Sequence, residues 1–225
     1  VAITSAVRLR QSPIISFLTE TSNPDIIPIL DSSDGPLQVV IDLSLLKIVD
    51  VDTDRNEIEI LLRQRLSWTN PALAWSVSWE EFNETSVSLA TKYLWLPDIV
   101  IYNAINLAEV VSPSAATVRN NGEVILVSTV RVRVPCDLQN ITSNSGANCT
   151  LKFASWTRNG NILSISNPGS GIDLTDYLPI PNYDLLSTSS KKNSITYTCC
   201  PDVVYEDIVF QFLVKTRNQA VSISE

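Results

Sequence analysis

The repeat of hydrophobic and polar positions changes once along this chain. Within Ala6 to Thr19, the residues Val7, Ile14, Ile15 and Leu18 fall near helical spacing, which predicts a helix over about residues 5–19 with Pro13 as the irregularity in it. After Asp34-Gly35-Pro36 the repeat becomes two. Ile58, Ile60, Leu62, Leu66 and Trp68 share one face of a strand, and Glu57, Glu59, Arg63 and Arg65 share the other. Val124, Leu126, Val130, Val132 and Val134 alternate in the same way with Ile125, Val127, Thr129, Arg131 and Arg133, and Ile208, Phe210, Phe212 and Val214 repeat the pattern near the end. Asn121-Gly122 and Asn159-Gly160 separate such runs and are dipeptides that tolerate the positive φ of a tight hairpin. Short strands, frequent turns, one helix at the start and no alternation of strand with helix predict an all-β fold, an antiparallel immunoglobulin-like β-sandwich with an N-terminal α-helix. No linker or repeat interrupts the chain, so residues 1–225 are read as a single domain.

Composition then removes whole classes of function. The chain has 225 residues, no His, no Met and four Cys, with 24 acidic against 16 basic residues for a net charge of −8. Without His there is no Ser-His-Asp or Cys-His-Asn relay and no His-ligated metal or haem, so no metal and no cofactor are expected. A pI near 4.6 with scattered basic residues argues against nucleic acid, which requires a cationic stripe. The acidic balance suits cationic partners as well as plain solubility. Paired carboxylates for a glycosidase are available in number, yet no pair is singled out.

Charged residues make up 18% of the chain, below the usual quarter, and Ser, Thr and Asn take their place, as in many extracellular domains. Three acceptor sequons agree, with glycosylation expected at Asn83, Asn140 and Asn148. The chain starts at Val1 without a charged and apolar leader, which reads as a mature secreted protein, and no run of 18 apolar residues predicts a membrane span. Four Cys allow three pairings. Cys136 and Cys149 lie 13 positions apart around a polar loop that a bridge can staple, and the adjacent Cys199 and Cys200 suit a vicinal disulfide that stiffens a chain tip.

A set of ordered motifs goes further. Trp95-Leu96-Pro97-Asp98-Ile99 with Tyr102-Asn103, Trp68-Thr69-Asn70-Pro71-Ala72-Leu73-Ala74-Trp75, Asn121-Gly122-Glu123-Val124, Ser155-Trp156-Thr157 and Tyr197-Thr198-Cys199-Cys200 together resemble the extracellular ligand-binding domain of Cys-loop receptors. Within that group the chain is most similar to the soluble acetylcholine-binding proteins of molluscs. The loop from Cys136 to Cys149 lacks the Phe-Pro motif that receptors press against their membrane domain, and the chain ends at Glu225 directly after its last strand.

The resemblance implies a non-enzymatic protein that takes a small cationic ligand, such as acetylcholine or another nicotinic compound, held between subunits of a homopentamer. It implies a principal wall of Tyr102, Trp156, Tyr197 and Tyr205 with Cys199-Cys200 at the tip of the closing loop. A quaternary ammonium has no N–H to donate, so ring faces must attract it, at ~2 kcal/mol for each desolvated contact. The resemblance leaves Trp68, Trp75 and Trp95 as core, and Trp79 as a surface or packing residue. On the complementary wall it implies Arg63, Thr117, Ile125 and Val127. Arg63 departs from the family, which carries Trp there, and Glu59 is the carboxylate expected near it. A second departure is the spacing from Cys200 to Tyr205, five positions where the family has four. The competing readings are the extracellular domain of a Cys-loop ligand-gated ion channel, and an immunoglobulin-like adhesion module, which requires a long-range bridge from Cys136 to Cys199 or Cys200.

Overall fold

A computed structural model describes residues 12–29, 35–77, 84–106, 108–111, 114–139 and 141–217. It opens with helix α1 (Ser12–Thr21), whose Ile14 and Leu18 are both fully buried one turn apart. Pro13 is the second residue of that span, where a missing N–H breaks no helical bond. The helix runs two residues beyond the expected end, and the part expected before Ser12 lies outside the described residues, as does Trp79.

The strands are β1 (Leu37–Asp52), β2 (Glu57–Thr69), β3 (Ser86–Ala90), β4 (Ile99–Ile101), β5 (Glu109–Val111), β6 (Ala115–Arg119), β7 (Glu123–Pro135), β8 (Ala147–Ser155), β9 (Leu163–Ser166), β10 (Tyr183–Tyr197) and β11 (Cys200–Thr216). They form a larger sheet in the order β3-β6-β7-β2-β1-β9, with β5 also paired to β7, and a smaller sheet in the order β10-β11-β8-β4. The chain is thus an all-β sandwich. Alternation explains why these segments are strands: Ile58, Ile60 and Leu62 of β2, Val130, Val132 and Val134 of β7, and Phe210, Phe212 and Val214 of β11 are all buried at 1% exposure or less. Phe153 of β8 meets Phe210 edge to face at 5.7 Å. Trp68, Trp75 and Trp95 are buried as expected, and Trp68 lies edge-on to Trp95 at 6.1 Å.

Two turns behave differently. Gly122 has φ +82° in the hairpin from β6 to β7, and a Cβ there would lie 2.5 Å from the Asn70 carbonyl oxygen, so only glycine fits. Asn159-Gly160 does not close a hairpin. The strands on either side of it belong to different sheets, and β9 runs parallel to β1, from Leu37 opposite Leu163 to Val40 opposite Ser166. The sandwich is therefore antiparallel except at this edge.

Cys136, just past the end of β7, is bonded to Cys149 in β8, so this disulfide ties one sheet to the other. The long-range bridge of an immunoglobulin module is accordingly not formed. Cys199 and Cys200 stand as thiols with their sulfurs 2.7 Å apart, so the expected vicinal bridge is not closed in this structure.

After β9, residues 167–178 run irregularly between the edge strand β10 and the part of β1 that lies beyond its pairing with β9, and bond to both. Asp173 N donates to the Leu43 oxygen at 2.8 Å, Leu45 N donates to the Asp173 oxygen at 2.9 Å, and Leu178 N donates to the Leu46 oxygen at 2.8 Å, all on β1. On the other side Ser190 N of β10 donates to the Ser170 oxygen at 3.1 Å, and Ile172 N donates to Thr188 Oγ1 at 3.0 Å.

Candidate functional site

The four aromatic residues named for the principal wall come together at one end of the smaller sheet. Tyr102 follows β4, and its place is set by backbone and side-chain bonds to β8: Tyr102 N donates to the Lys152 oxygen at 2.8 Å, and Asn103 Nδ2 donates to the Thr150 oxygen at 2.8 Å. Trp156 follows β8. Its ring centroid lies 5.7 Å from that of Tyr102, and the Tyr102 hydroxyl donates to the Ser155 oxygen at 3.0 Å. Tyr197 ends β10 and faces Tyr205 of β11 at 5.4 Å. The extra residue between Cys200 and Tyr205 is absorbed where the register of β10 and β11 shifts, between Thr196 opposite Val204 and Tyr197 opposite Cys200. Tyr102, Tyr197 and Tyr205 line one cleft of about 310 Å³ together with Lys152, Arg158, Glu206 and Asp207. Trp156 is 67% exposed beside it, an unusual state for so large a ring.

Asp98 holds the Trp156 turn. Ser155 Oγ donates to its carboxylate at 2.6 Å, Thr157 N at 2.7 Å and Thr157 Oγ1 at 2.5 Å, while Trp156 N donates to the Asp98 backbone oxygen at 3.0 Å. Burial raises the affinity of Asp98 for a proton, but the bonds from Ser155 and Thr157 outweigh it and hold the carboxyl below the usual aspartate value. Tyr102 is pushed the other way, first by burial and then by the neighbouring Tyr197 and Asp98.

Lys152 pairs with the nearly buried Asp207 at 2.9 Å, and this bond raises the lysine's pKa. One Glu206 oxygen accepts from Ser164 Oγ at 2.8 Å, Ile165 N at 3.0 Å and Lys192 Nζ at 2.8 Å, which ties the middle of the β10-β11 hairpin to β9.

Motif reading did not single out these supporting residues. Asp98 sat inside the quoted Trp95-Leu96-Pro97-Asp98 run, so a signal was present. Lys152 and Asp207 meet only through the register of β8 and β11, which no local pattern reveals.

The residues expected for the complementary wall lie elsewhere, on the outer face of the larger sheet. Thr117 of β6 is opposite Ile125 of β7, Arg65 of β2 is opposite Val127, and Arg63 is opposite Thr129. Thr117 and Val127 are exposed and Ile125 is half-buried. None of the four lines the cleft of the same chain. Arg63 Nη1 pairs with Asp176 at 2.7 Å, not with the expected Glu59, because Glu59 accepts from both Arg131 and Arg133.

Of the sequon asparagines, Asn148 is exposed on β8, and Asn83 and Asn140 lie outside the described residues. Among the described residues, no group of three or more His, Cys, Asp or Glu is placed to hold a metal ion, and no helix is long and apolar enough to cross a membrane.

The fold agrees with sequence comparison. Residues 11–218 match the neurotransmitter-gated ion-channel ligand binding domain, and the chain belongs to that family. Its relatives include the chicken (Gallus gallus) neuronal acetylcholine receptor subunit alpha-2, 28% identical over 191 residues, covering 84% of this chain and 35% of the subunit. The human (Homo sapiens) subunit alpha-10 is 29% identical over 203 residues, covering 86% of this chain and 43% of the subunit. The human subunit alpha-6 is 28% identical over 195 residues, covering 86% and 39%. The chain therefore spans about two fifths of the length of these relatives. They are channel subunits and ligand-binding domains rather than enzymes.

Proposed function

We propose that the chain is a single domain that binds acetylcholine or a related organic cation, and that it acts as a soluble, secreted binding protein resembling those of molluscs. The observation that carries this reading is the exposed Trp156 ring packed on Tyr102, beside the Tyr197 and Tyr205 pair at the rim of one cleft. Ring faces left in water are available to a cation, and several contacts of ~2 kcal/mol are needed together, because micromolar affinity requires about 8 kcal/mol. The Cys199-Cys200 tip closes over the ligand, with the two thiols joined on oxidation. Arg63, Thr117, Ile125 and Val127 of a neighbouring copy form the opposite wall, in a ring of five. The polar loop between Cys136 and Cys149 supports the soluble reading, since a surface seated on a membrane domain is expected to be apolar.

The alternative is the extracellular part of a ligand-gated channel, favoured by the subunits that match this chain over only two fifths of their length. Titration of tryptophan fluorescence with acetylcholine, choline and tetramethylammonium, on protein sized by light scattering, tests the ligand and the ring together. Saturable quenching on a five-fold assembly, lost in Trp156→Ala, is the expected result. A monomer without quenching overturns the reading.

A further inference from the structure

The cleft holds one positive charge that no described carboxylate neutralises. Of the charged residues that line it, Lys152 is paired with Asp207 at 2.9 Å, and Asp207 also accepts from Asn193 Nδ2 at 2.7 Å. Glu206 takes its donors from Ser164, Ile165 and Lys192. Arg158 remains, with no carboxylate in ion-pair distance among the described residues. Every other described arginine, from Arg55 to Arg217, holds a carboxylate. The exception is notable in a chain with 24 acidic and 16 basic residues, where carboxylates are in surplus.

The position of Arg158 is built rather than loose. Arg158 N donates to Ser155 Oγ at 2.9 Å, and that same hydroxyl donates to Asp98 at 2.6 Å, so the backbone from which the guanidinium extends is fixed to the turn that presents Trp156 two residues earlier. The residue is half-buried in the cleft wall. An unpaired guanidinium beside a cation cage opposes a ligand that carries positive charge alone. A ligand that brings its own carboxylate removes that opposition and gives the planar fork a partner it binds with two parallel hydrogen bonds.

We propose that Arg158 forms an anionic subsite next to the aromatic rings, and that the ligand this cleft selects is a zwitterion, an ammonium group joined to a carboxylate. The proposal rests on the cation-binding reading above and names the ligand class for that same site. The ammonium lies against Trp156 and Tyr102 while the carboxylate meets Arg158.

The test uses trimethylammonio carboxylates with one, two or three methylenes between the charged groups, each compared with its own methyl ester, which keeps the cation and loses the anion. The quantity read is the ratio of ester Kd to zwitterion Kd by calorimetry, in the wild type and in Arg158→Gln. The expected result is a ratio about tenfold lower in Arg158→Gln at one or more lengths, because the charge-assisted pair is lost. Ester binding is expected to hold or tighten, which also shows that the variant is folded. Arg158→Lys, which keeps the charge and loses the fork, should give an intermediate ratio, and it replaces Arg158→Gln if that variant does not fold. A ratio that changes by less than about threefold at all three lengths overturns the subsite while leaving the cage intact. Failure of every ester and zwitterion to bind the wild type instead overturns the cation cage, and the subsite with it.

Discussion

Asp98 shows how a single carboxylate sets the posture of the ring that follows in space. It receives three hydrogen bonds from Ser155 and Thr157, and these outweigh burial to keep it ionised. A carboxyl held below its unfolded pKa stabilises the fold at neutral pH, and that stability disappears as pH falls below about 4 and through the lowered value. Asp98→Asn should therefore cost about 1–3 kcal/mol in denaturant unfolding at pH 7, weaken cation binding, and flatten the acid limb of the stability profile. An acid limb equal to that of the wild type would count against this role. Arg63 is a different case. Its pair with Asp176 is about half exposed on both sides, so it contributes less than about 1 kcal/mol to stability. If it faces a neighbour's cage, Arg63→Trp should tighten acetylcholine more than Arg63→Leu does, the first adding a ring and the second only removing a charge. Equal affinities of both variants and wild type at low salt would remove Arg63 from that wall. That Tyr102 meets Trp156 and Tyr197 meets Tyr205 was legible because each lies in or beside a quoted motif. Asp176 was not, since it lies 113 positions from Arg63 and only the folded chain brings the two together.

At the scale of elements, β2, β7 and β11 were readable because apolar residues recur at every second position on one face of each and that face is buried. β10 carries no such alternation: Ser187 to Ser194 is polar on both faces, and the strand exists because β11 offers a ladder to pair with. The connection into β9 was not legible for the opposite reason. Asn159-Gly160 promised a local hairpin, whereas the partner, β1, lies more than a hundred positions earlier and runs parallel. Glu206 is what couples this edge strand to the hairpin, through the Ile165 N–H. Glu206→Ala should leave that buried N–H unpaired, at a cost of about 1–3 kcal/mol, and speed its hydrogen exchange, while Glu206→Gln keeps an acceptor and most of the protection. Unchanged exchange at Ile165 in the alanine variant would show that the clamp does not hold β9.

Across the whole molecule, the Cys136–Cys149 bridge is a covalent tie between the two sheets. Its spacing was legible, but not that its two ends belong to different layers. Replacing both cysteines by serine should lower stability by about 3 kcal/mol, read as a fall in Tm. The irregular segment 167–178 performs a related service without a covalent bond, since it covers the outer hydrogen-bonding groups of β1 and β10 at once. Bare strand edges are templates on which other chains add strands, so this covering is also a safeguard against clumping. Gly171 makes it possible. A Cβ there would lie 2.5 Å from Thr188 Oγ1 and 2.8 Å from the Ser189 backbone nitrogen, a clash that no rotamer change relieves. Gly171→Val should lift the segment, free two edges together, and give scattering that grows with protein concentration and time. On the secreted reading proposed above, with no chaperone at hand to undo such growth, the persistence of the dispersed state would rest on this one bare position.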